Sequence, residues 1–291
     1  MRLRKLALSR REALSGYAYA ALPLLGFAVF YVAPFGITVM RTFSGGTSGF
    51  IFVGLDNYVS VLSSEAFRLA AGNTFKFIGA GVPLLLALSL AAALMLSSGL
   101  RGAGWFRAAY VLPLVLPTAS VIMVFQIVFA PGGIVNYMLD KLGLGTARFL
   151  ASPAVFWVLL LLYIWKNIGY GIILMLAGLT QIPVECVDAA RVDGAGWGTR
   201  LRRVVLPLMA PTLMFSTVIG IVGAFKSFRE AFALAGSYPH ESIYMLQHFM
   251  NNNFERLNYA RLSVGAVLTF LVIFAFVLAL FVRRGRGGVA E

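Results

Sequence analysis

The chain has 291 residues, of which 60% are hydrophobic and 12% charged, and its mean hydropathy of +0.86 is far above that of a soluble globular domain. The net charge of +13 would suggest nucleic-acid binding in a soluble protein, but here the basic residues cluster outside long apolar runs, as the positive-inside rule explains. The single cysteine, Cys186, excludes an internal disulfide. The composition therefore predicts an all-α membrane protein.

Six apolar runs are long enough to cross a bilayer as helices. A basic segment, residues 1–16, precedes the first run, which is longer than the apolar region of a signal peptide, so we expect this run to be retained as a helix. The tail is residues 283–291, and the membrane domain therefore covers 17–282. The predicted spans are residues 17–40, 75–97, 108–129, 154–178, 208–228 and 262–282.

Lysine and arginine orient these spans. With both termini in the cytoplasm, the inner segments hold 14 of these residues and the outer segments hold seven, although the inner segments are shorter. This excess predicts cytoplasmic termini. Pro113 and Pro117 lie four residues apart in the third run and predict a kink there.

The fourth run carries polar residues near its middle. Lys166 is costly in a bilayer, so we expect it to face a cavity or a partner. Tyr163, Asn167 and Tyr170 recur at helical spacing and form one polar-aromatic stripe. The stripe is suited to a hydrophilic substrate path, and the alternative is a structural lysine bonded to helix-end carbonyls of a neighbour.

The end of the fifth run holds another polar group. Lys226 and Glu230 are four residues apart and can pair on one helix face beside Ser227, unless the group is only an interfacial charge cluster. Gln126, in the third run, is expected to make a helix–helix hydrogen bond. We expect no Asp or Glu at central depth, which disfavours an ion-coupled carrier.

Motifs for catalysis are missing from the sequence. It has no phosphate-binding loop, no zinc-protease motif, no recognisable Ser/His/Asp arrangement and no cluster with metal-ligand spacing. We therefore expect no catalytic residue, no bound metal and no ATP hydrolysis by this chain.

A polar stretch, residues 181–211, interrupts the apolar pattern between the fourth and fifth runs. Pro183 suits the first turn of a helix. Glu185 and Asp188 would then lie near the N-terminus of this helix, where the helix dipole favours carboxylates. Gly194 and Gly196 are poor helix-interior residues and are expected to end this short helix. The stretch therefore predicts a helix–turn–helix on the cytoplasmic membrane surface.

This stretch resembles the EAA loop of permease subunits in binding-protein-dependent ABC importers. That loop reads E-A-A, three residues, glycine, nine residues and I-x-L-P. The corresponding positions, with Asp in place of Glu and Val in place of Ile, are Asp188, Ala189, Ala190, Gly194, Val204, Leu206 and Pro207. Residues 54–58, 73–74 and 225–254 resemble the maltose-type carbohydrate permeases.

The resemblance implies half of a pathway that carries a sugar or oligosaccharide across a bacterial or archaeal inner membrane. The implied partners are a second permease subunit, a dimer of ATPases that bind ATP and magnesium, and an extracytoplasmic solute-binding protein. The EAA loop would dock on the ATPase as a coupling helix. By alignment, Asn167, Tyr170 and Ser227 are the implied substrate contacts. The alternatives are a secondary carrier for a small polar solute and an ABC importer permease for a non-sugar solute such as a polyol phosphate.

Overall fold

The computed structural model describes residues 15–17, 19–45, 51–98 and 103–287, and it is mostly helical. Most of the predicted basic segment, at 1–14, and the end of the tail, at 288–291, lie outside these residues. The long helices are α1 (Ser15–Thr42), α3 (Glu65–Ser97), α7 (Val155–Thr180) and α14 (Tyr259–Gly287).

Shorter elements fill the rest of the described chain. β1 (Ser44–Gly45) and β2 (Ile51–Phe52) form a small antiparallel pair. The remaining helices are α2 (Asp56–Leu62), α4 (Ala103–Val115), α5 (Thr118–Val128), α6 (Ile134–Lys141), α8 (Val184–Val192), α9 (Trp197–Arg200), α10 (Leu206–Leu208), α11 (Ala210–Lys226), α12 (Phe228–Ala235) and α13 (Leu246–Glu255). Short 3₁₀ turns lie at Phe149–Ala151 and Glu241–Ile243, and π-helical turns lie at Ala28–Val32 and Leu201–Val205.

Five segments of the described chain are long and apolar enough to cross a membrane. They correspond to the predicted spans except the third, which is divided. Helix α4 ends at Val115 and α5 begins at Thr118, because Pro117 leaves the helical backbone with ψ of 130°. The kink predicted from the two prolines is confirmed at Pro117, whereas Pro113 lies inside α4.

Two helices extend beyond the predicted apolar runs. Helix α3 begins at Glu65, ten residues before the apolar run. Its first turns are held by packing, since the Phe67 ring contacts the Phe249 ring with 5.3 Å between centroids. The fifth apolar helix extends to Ala235 after a break at Ser227.

The chain divides into two compact units. The first contains Met1–Ser64 and Asn253–Val272, and the second contains Glu65–Asn252 and Ile273–Glu291. In the first unit, the Phe35 ring of α1 contacts the Phe270 ring of α14 at 4.7 Å between centroids. Residues of α14 that face inwards, such as Val264, are fully buried.

Helices α3, α7 and α11 form the core of the second unit. Two glycines of α7 allow the close approach of its neighbours. A Cβ on Gly178 would lie 2.7 Å from the Thr212 hydroxyl of α11, and one on Gly171 would overlap the Ser89 side chain of α3. Around these contacts Phe77, Leu159 and other buried residues build the main apolar cluster.

Candidate functional site

The coupling segment predicted at residues 181–211 contains α8 and, after a turn, a second helical stretch from Trp197 to Leu208, as the predicted helix–turn–helix requires. Helix α8 has nine residues and none of them is buried. Pro183 is its N-cap residue with ψ of 128°, so the helix begins one residue later than predicted, and Glu185 lies in the first turn. Helix α8 therefore lies at the surface, with Val187 and Ala190 half-buried.

Gly194 ends α8 for a stereochemical reason. Its φ is +75°, a left-handed conformation that glycine adopts without penalty. Its amide donates to the Arg191 carbonyl at 3.0 Å, and the Ala195 amide donates to the Ala190 carbonyl at 2.9 Å. This pair of bonds is the Schellman motif, and it confirms the predicted end of the helix.

Asp188 lies on the exposed surface of α8. Its carboxylate accepts a hydrogen bond from the Arg191 guanidinium at 2.9 Å, and both side chains are more than half exposed. Ala189 is exposed and Ala190 half-buried. The small side chains beside the carboxylate leave room for another protein surface to approach the helix.

The far end of the segment returns to the core. Leu206 is half-buried and Pro207 is exposed in α10, and Met209, directly after α10, is fully buried. Met209 packs with Ala93 of α3 and Met175 of α7. A cavity of about 540 Å³ lies between α8 and the ends of α3 and α7, with Asp188 among its lining residues. The segment is therefore anchored at Met209 and only loosely supported beneath α8.

The central lysine of α7 has an acidic partner. Lys166 Nζ forms an ion pair with Oε1 of Glu230 on α12 and donates to the Thr118 hydroxyl of α5 at 2.8 Å. The Lys166 side chain is 21% exposed and that of Glu230 only 7%. Lys166 therefore has polar partners, which are a carboxylate and a hydroxyl instead of the helix-end carbonyls of the alternative.

This ion pair corrects one prediction. Lys226 is exposed and Glu230 is bound to Lys166, so the predicted Lys226–Glu230 pair was wrong. Glu230 lies near the end of the apolar segment Ala210–Ala235. Lys166 and Glu230 are 64 positions apart, and helical spacing rules cover only three or four.

The predicted polar-aromatic stripe divides into buried and accessible parts. Tyr163 is 2% exposed, its hydroxyl donates to the Gly220 carbonyl at 2.8 Å, and its ring packs against Phe77. Asn167 is half-buried and donates to the Tyr163 carbonyl at 2.7 Å, and Tyr170 is 40% exposed. The structure therefore places Tyr163 in the helix-packing core, apart from Tyr170.

Ser227 and Gln126 contact helix ends. Ser227 is buried at the break between α11 and α12, where its hydroxyl donates to the Gly223 carbonyl at 3.2 Å. Gln126 of α5 donates to the Ala233 and Leu234 carbonyls at the end of α12, at 3.2 and 3.4 Å. The helix–helix role predicted for Gln126 is confirmed.

His248 is a buried polar group that the sequence analysis did not single out. It is fully buried, and its Nδ1 accepts the Met245 amide at 3.1 Å. Its ring contacts those of Phe228 and Tyr244, with centroids 4.7 and 5.7 Å away. Burial lowers the pKa of His248 to about 4, so it is neutral near pH 7. Within the described residues, His, Cys, Asp and Glu do not cluster as metal ligands.

A family model supplies the decisive comparison. Residues 83–286 match the binding-protein-dependent transport system inner membrane component. The chain belongs to this family. It is therefore a membrane permease component of a binding-protein-dependent transporter, as the EAA spacing predicted.

Relatives cover nearly the whole chain. The trehalose/maltose transport system permease protein MalF of Thermococcus litoralis is 30% identical, with 96% of each chain covered. The probable ABC transporter permease protein YesP of Bacillus subtilis is 28% identical over 92% of this chain and 90% of its own length. The sn-glycerol-3-phosphate transport system permease protein UgpA of Yersinia pestis is 30% identical over 76% of each chain.

A solved structure confirms the fold. A bacterial ABC transporter involved in the import of the acidic polysaccharide alginate matches with a TM-score of 0.82 at 22% identity, covering 97% of this chain and 99% of the other. The likeness at this identity concerns the arrangement of the helices.

Proposed function

We propose that this chain forms half of the pathway that imports a sugar or oligosaccharide, driven by ATP hydrolysis on partner subunits. Helix α8 carries the proposal, because it is a helix with no buried residue, anchored to the span core at Met209. The sugar class is supported by the relatives named for trehalose/maltose and for multiple sugars. The chain itself contributes no catalytic residue.

The partners follow from the same proposal. A second permease completes the pathway, and an extracytoplasmic binding protein delivers the solute. A dimer of ATPases binds ATP and magnesium. Both termini of this chain lie in the cytoplasm of a bacterium or archaeon, as the excess of basic residues in the inner segments supports. Reporter fusions at the two termini test this orientation.

In the coupling step, α8 docks on an ATPase through its exposed face. The contact surface consists of Asp188, Ala189 and Ala190, and Gly194 fixes where the helix ends. Leu206 and Pro207 lead to the buried Met209, so displacement of α8 is transmitted to α3 and α7. Rigid-body movement of a packed element is a common means of switching between two conformations.

The coupling proposal is tested by reversing one charge. We expect Asp188→Lys to leave the amount of permease in the membrane unchanged, since the side chain is exposed, but to weaken ATPase copurification and sugar uptake. Glu185→Lys, on the same helix and also exposed, is the matched control. Equal loss in both variants, or no loss in Asp188→Lys, would contradict a specific contact.

The substrate-pathway proposal concerns polar residues of α7 and of the α11–α12 junction. Asn167, Tyr170, Lys226 and Ser227 carry the candidate contacts. Two further residues hold α7 in place beside these contacts. Lys166 forms the ion pair with Glu230, and the Tyr163 hydroxyl donates to the Gly220 carbonyl.

Substitution of the pathway residues tests that assignment. We expect Asn167→Ala and Tyr170→Ala to reduce sugar uptake by an intact complex, because each removes a hydrogen-bonding or stacking group from the path. Tyr137→Ala, an exposed tyrosine of α6, is the control. Normal uptake by both α7 variants would refute the assignment.

A polyol phosphate is the second candidate substrate. It is favoured by the glycerol-3-phosphate permease relative, although that match covers 76% of each chain. Uptake of labelled sugars and of glycerol 3-phosphate by the same reconstituted complex separates the two. Import without an ATPase would instead support a secondary carrier.

A further inference from the structure

A polar pocket of about 290 Å³ lies within the first unit, where the end of α1 meets the start of α14. We call it the span-end pocket. Nine residues line it: Arg41, Ser44, Gly45, Asn57, Arg256, Leu257, Asn258, Tyr259 and Ala260. Their chemistry is suited to an anion, since they include two arginines and no carboxylate.

The two arginines provide the charge of the pocket. The Arg41 guanidinium lies over the Tyr259 ring, 5.4 Å from its centroid. Stacking of this kind leaves the N–H groups at the edge of the guanidinium plane able to donate. A guanidinium carries five N–H donors, and Arg256 lines the pocket together with Arg41. Guanidinium groups bind phosphate oxygens with two parallel hydrogen bonds.

The walls of the pocket are held by hydrogen bonds. The Asn57 amide donates to the Thr42 and Ser44 carbonyls at 2.9 and 3.0 Å, which fixes α2 against the end of α1. On the other side, the Leu257 amide donates to the Phe254 carbonyl at 2.9 Å with φ of 57°, ending α13 beside Arg256. The cavity is therefore built from fixed elements on both sides.

The pocket lies at the ends of two apolar segments. Arg41 lies in the last turn of an apolar membrane segment and Tyr259 is the first residue of another. Headgroups lie where such segments end, and arginine and tyrosine are favoured at that level.

Next to the pocket, an apolar surface is available for acyl chains. Helix α2 turns Val61 inwards, where it is fully buried, while Leu55, Val59 and Leu62 are 63%, 66% and 51% exposed. Ile51 and Phe52 of β2 are 65% and 70% exposed. A helix with its apolar stripe outwards is typical of a segment that lies in a membrane interface.

We propose that the span-end pocket binds the phosphate of a membrane lipid, with the acyl chains along the exposed apolar side chains of residues 51–62. Arg41 and Arg256 contact the phosphate oxygens. This proposal depends on the chain lying in a membrane, as its family does, and does not depend on which solute the transporter carries.

Native mass spectrometry of the purified transporter complex tests this proposal. Delipidated complex is titrated with phosphatidylglycerol, and the affinity is compared between wild type and Arg41→Gln/Arg256→Gln. We expect about thirtyfold weaker binding in the double variant, since each basic group near a membrane surface contributes about fivefold. Arg148→Gln removes an exposed arginine outside the pocket and should change the affinity less than about twofold. Arg41→Gln alone changes an exposed position and should lower the affinity for phosphatidylglycerol about fivefold. This single variant replaces the double variant if the latter does not assemble.

Two further experiments distinguish a lipid from other ligands of the pocket: competition with inorganic phosphate and capture of the solute-binding protein. Inorganic phosphate should not displace phosphatidylglycerol, because it lacks the apolar contacts. Full displacement by inorganic phosphate would overturn the lipid assignment, and so would unchanged lipid binding in the arginine variants. Weakened capture of the solute-binding protein with unchanged lipid binding would show a protein docking surface and would also overturn it.

Discussion

Two ion pairs of this chain use the same chemistry in opposite surroundings. Lys166 and Glu230 pair within the apolar helices, where the carboxylate side chain is 7% exposed, whereas Asp188 and Arg191 pair on α8 with 53% and 60% of their side chains exposed. An exposed pair typically contributes less than ~1 kcal/mol, but breaking a buried pair leaves a charge without compensation. The buried pair therefore acts on the stability of the permease, and the exposed carboxylate remains available to a partner.

The largest effect is expected from breaking the buried pair. Lys166→Met should destabilise the folded complex by about 3–5 kcal/mol, because it removes one partner of a buried ion pair and leaves the Glu230 carboxyl group without it. The thermal midpoint of the purified complex measures this loss.

A second substitution distinguishes charge from packing. Lys166→Met/Glu230→Leu should recover most of the midpoint, since an apolar pair of similar volume is often as stable as the ion pair it replaces. Equal instability in the single and double variants would show that the charges do not determine the stability of this site.

His248 provides the next largest effect, through pH. Its pKa in the folded protein is about 4, below the ordinary value of 6.5, so between these values the unfolded chain binds more protons than the folded one. The contribution of buried, neutral His248 to stability is therefore fully present above about pH 6.5. Below that, the free energy of unfolding falls by about 1.4 kcal/mol per pH unit as pH decreases towards 4.

Melting of the complex at pH 6.5 and 4.5 checks this dependence. The decrease should be larger in wild type than in His248→Gln. His240→Gln is the control, since His240 is half-buried and bonds to Ser242. An unchanged pH dependence in His248→Gln would contradict the role of burial.

A smaller effect is expected at the end of α8. Gly194→Ala should cost about 1–2 kcal/mol locally, since its φ of +75° is unfavourable for a residue with a Cβ. Gly198→Ala is the control, because that residue lies in the helix α9 with open space around it. Hydrogen exchange of the α8 amides should accelerate in the first variant alone.

The smallest change in stability is expected for the exposed pair. Asp188→Asn should shift the free energy of unfolding by less than ~1 kcal/mol while reducing ATP-driven uptake. A stability loss comparable to that of Lys166→Met would remove the distinction between the two pairs.

Local patterns in the sequence predicted what depends on local geometry. The break at Pro117 and the end of α8 at Gly194 follow from backbone rules that act over a few residues. The helix–helix role of Gln126 follows from the residue type alone, because an amide in an apolar helix needs a hydrogen-bonding partner. The Lys166–Glu230 pair joins residues that are distant in the chain, and no spacing rule connects them. The early start of α3 likewise depends on packing, with the Asn73 amide bonded to the Tyr244 carbonyl at 3.0 Å.

The pathway residues show the same limit. Helical spacing placed Tyr163, Asn167 and Tyr170 on one stripe, but exposure differs along a stripe when a neighbouring helix covers part of it. At Tyr163 the covering helix is α11, and the Tyr163 hydroxyl donates a hydrogen bond to the Gly220 carbonyl of that helix. Which end of a stripe is covered depends on the neighbour, and the sequence of α7 does not encode it.

Cross-linking from Cys186 tests the coupling role most directly. This residue is the chain's single cysteine and is exposed on α8, so a thiol-reactive photo-cross-linker can be attached without adding a cysteine. We expect the wild-type complex to form a cross-link to the ATPase subunit. We expect none for Cys186→Ser/Leu144→Cys, which moves the probe to an exposed position outside the segment. An ATPase cross-link from position 144 and none from Cys186 would contradict the account.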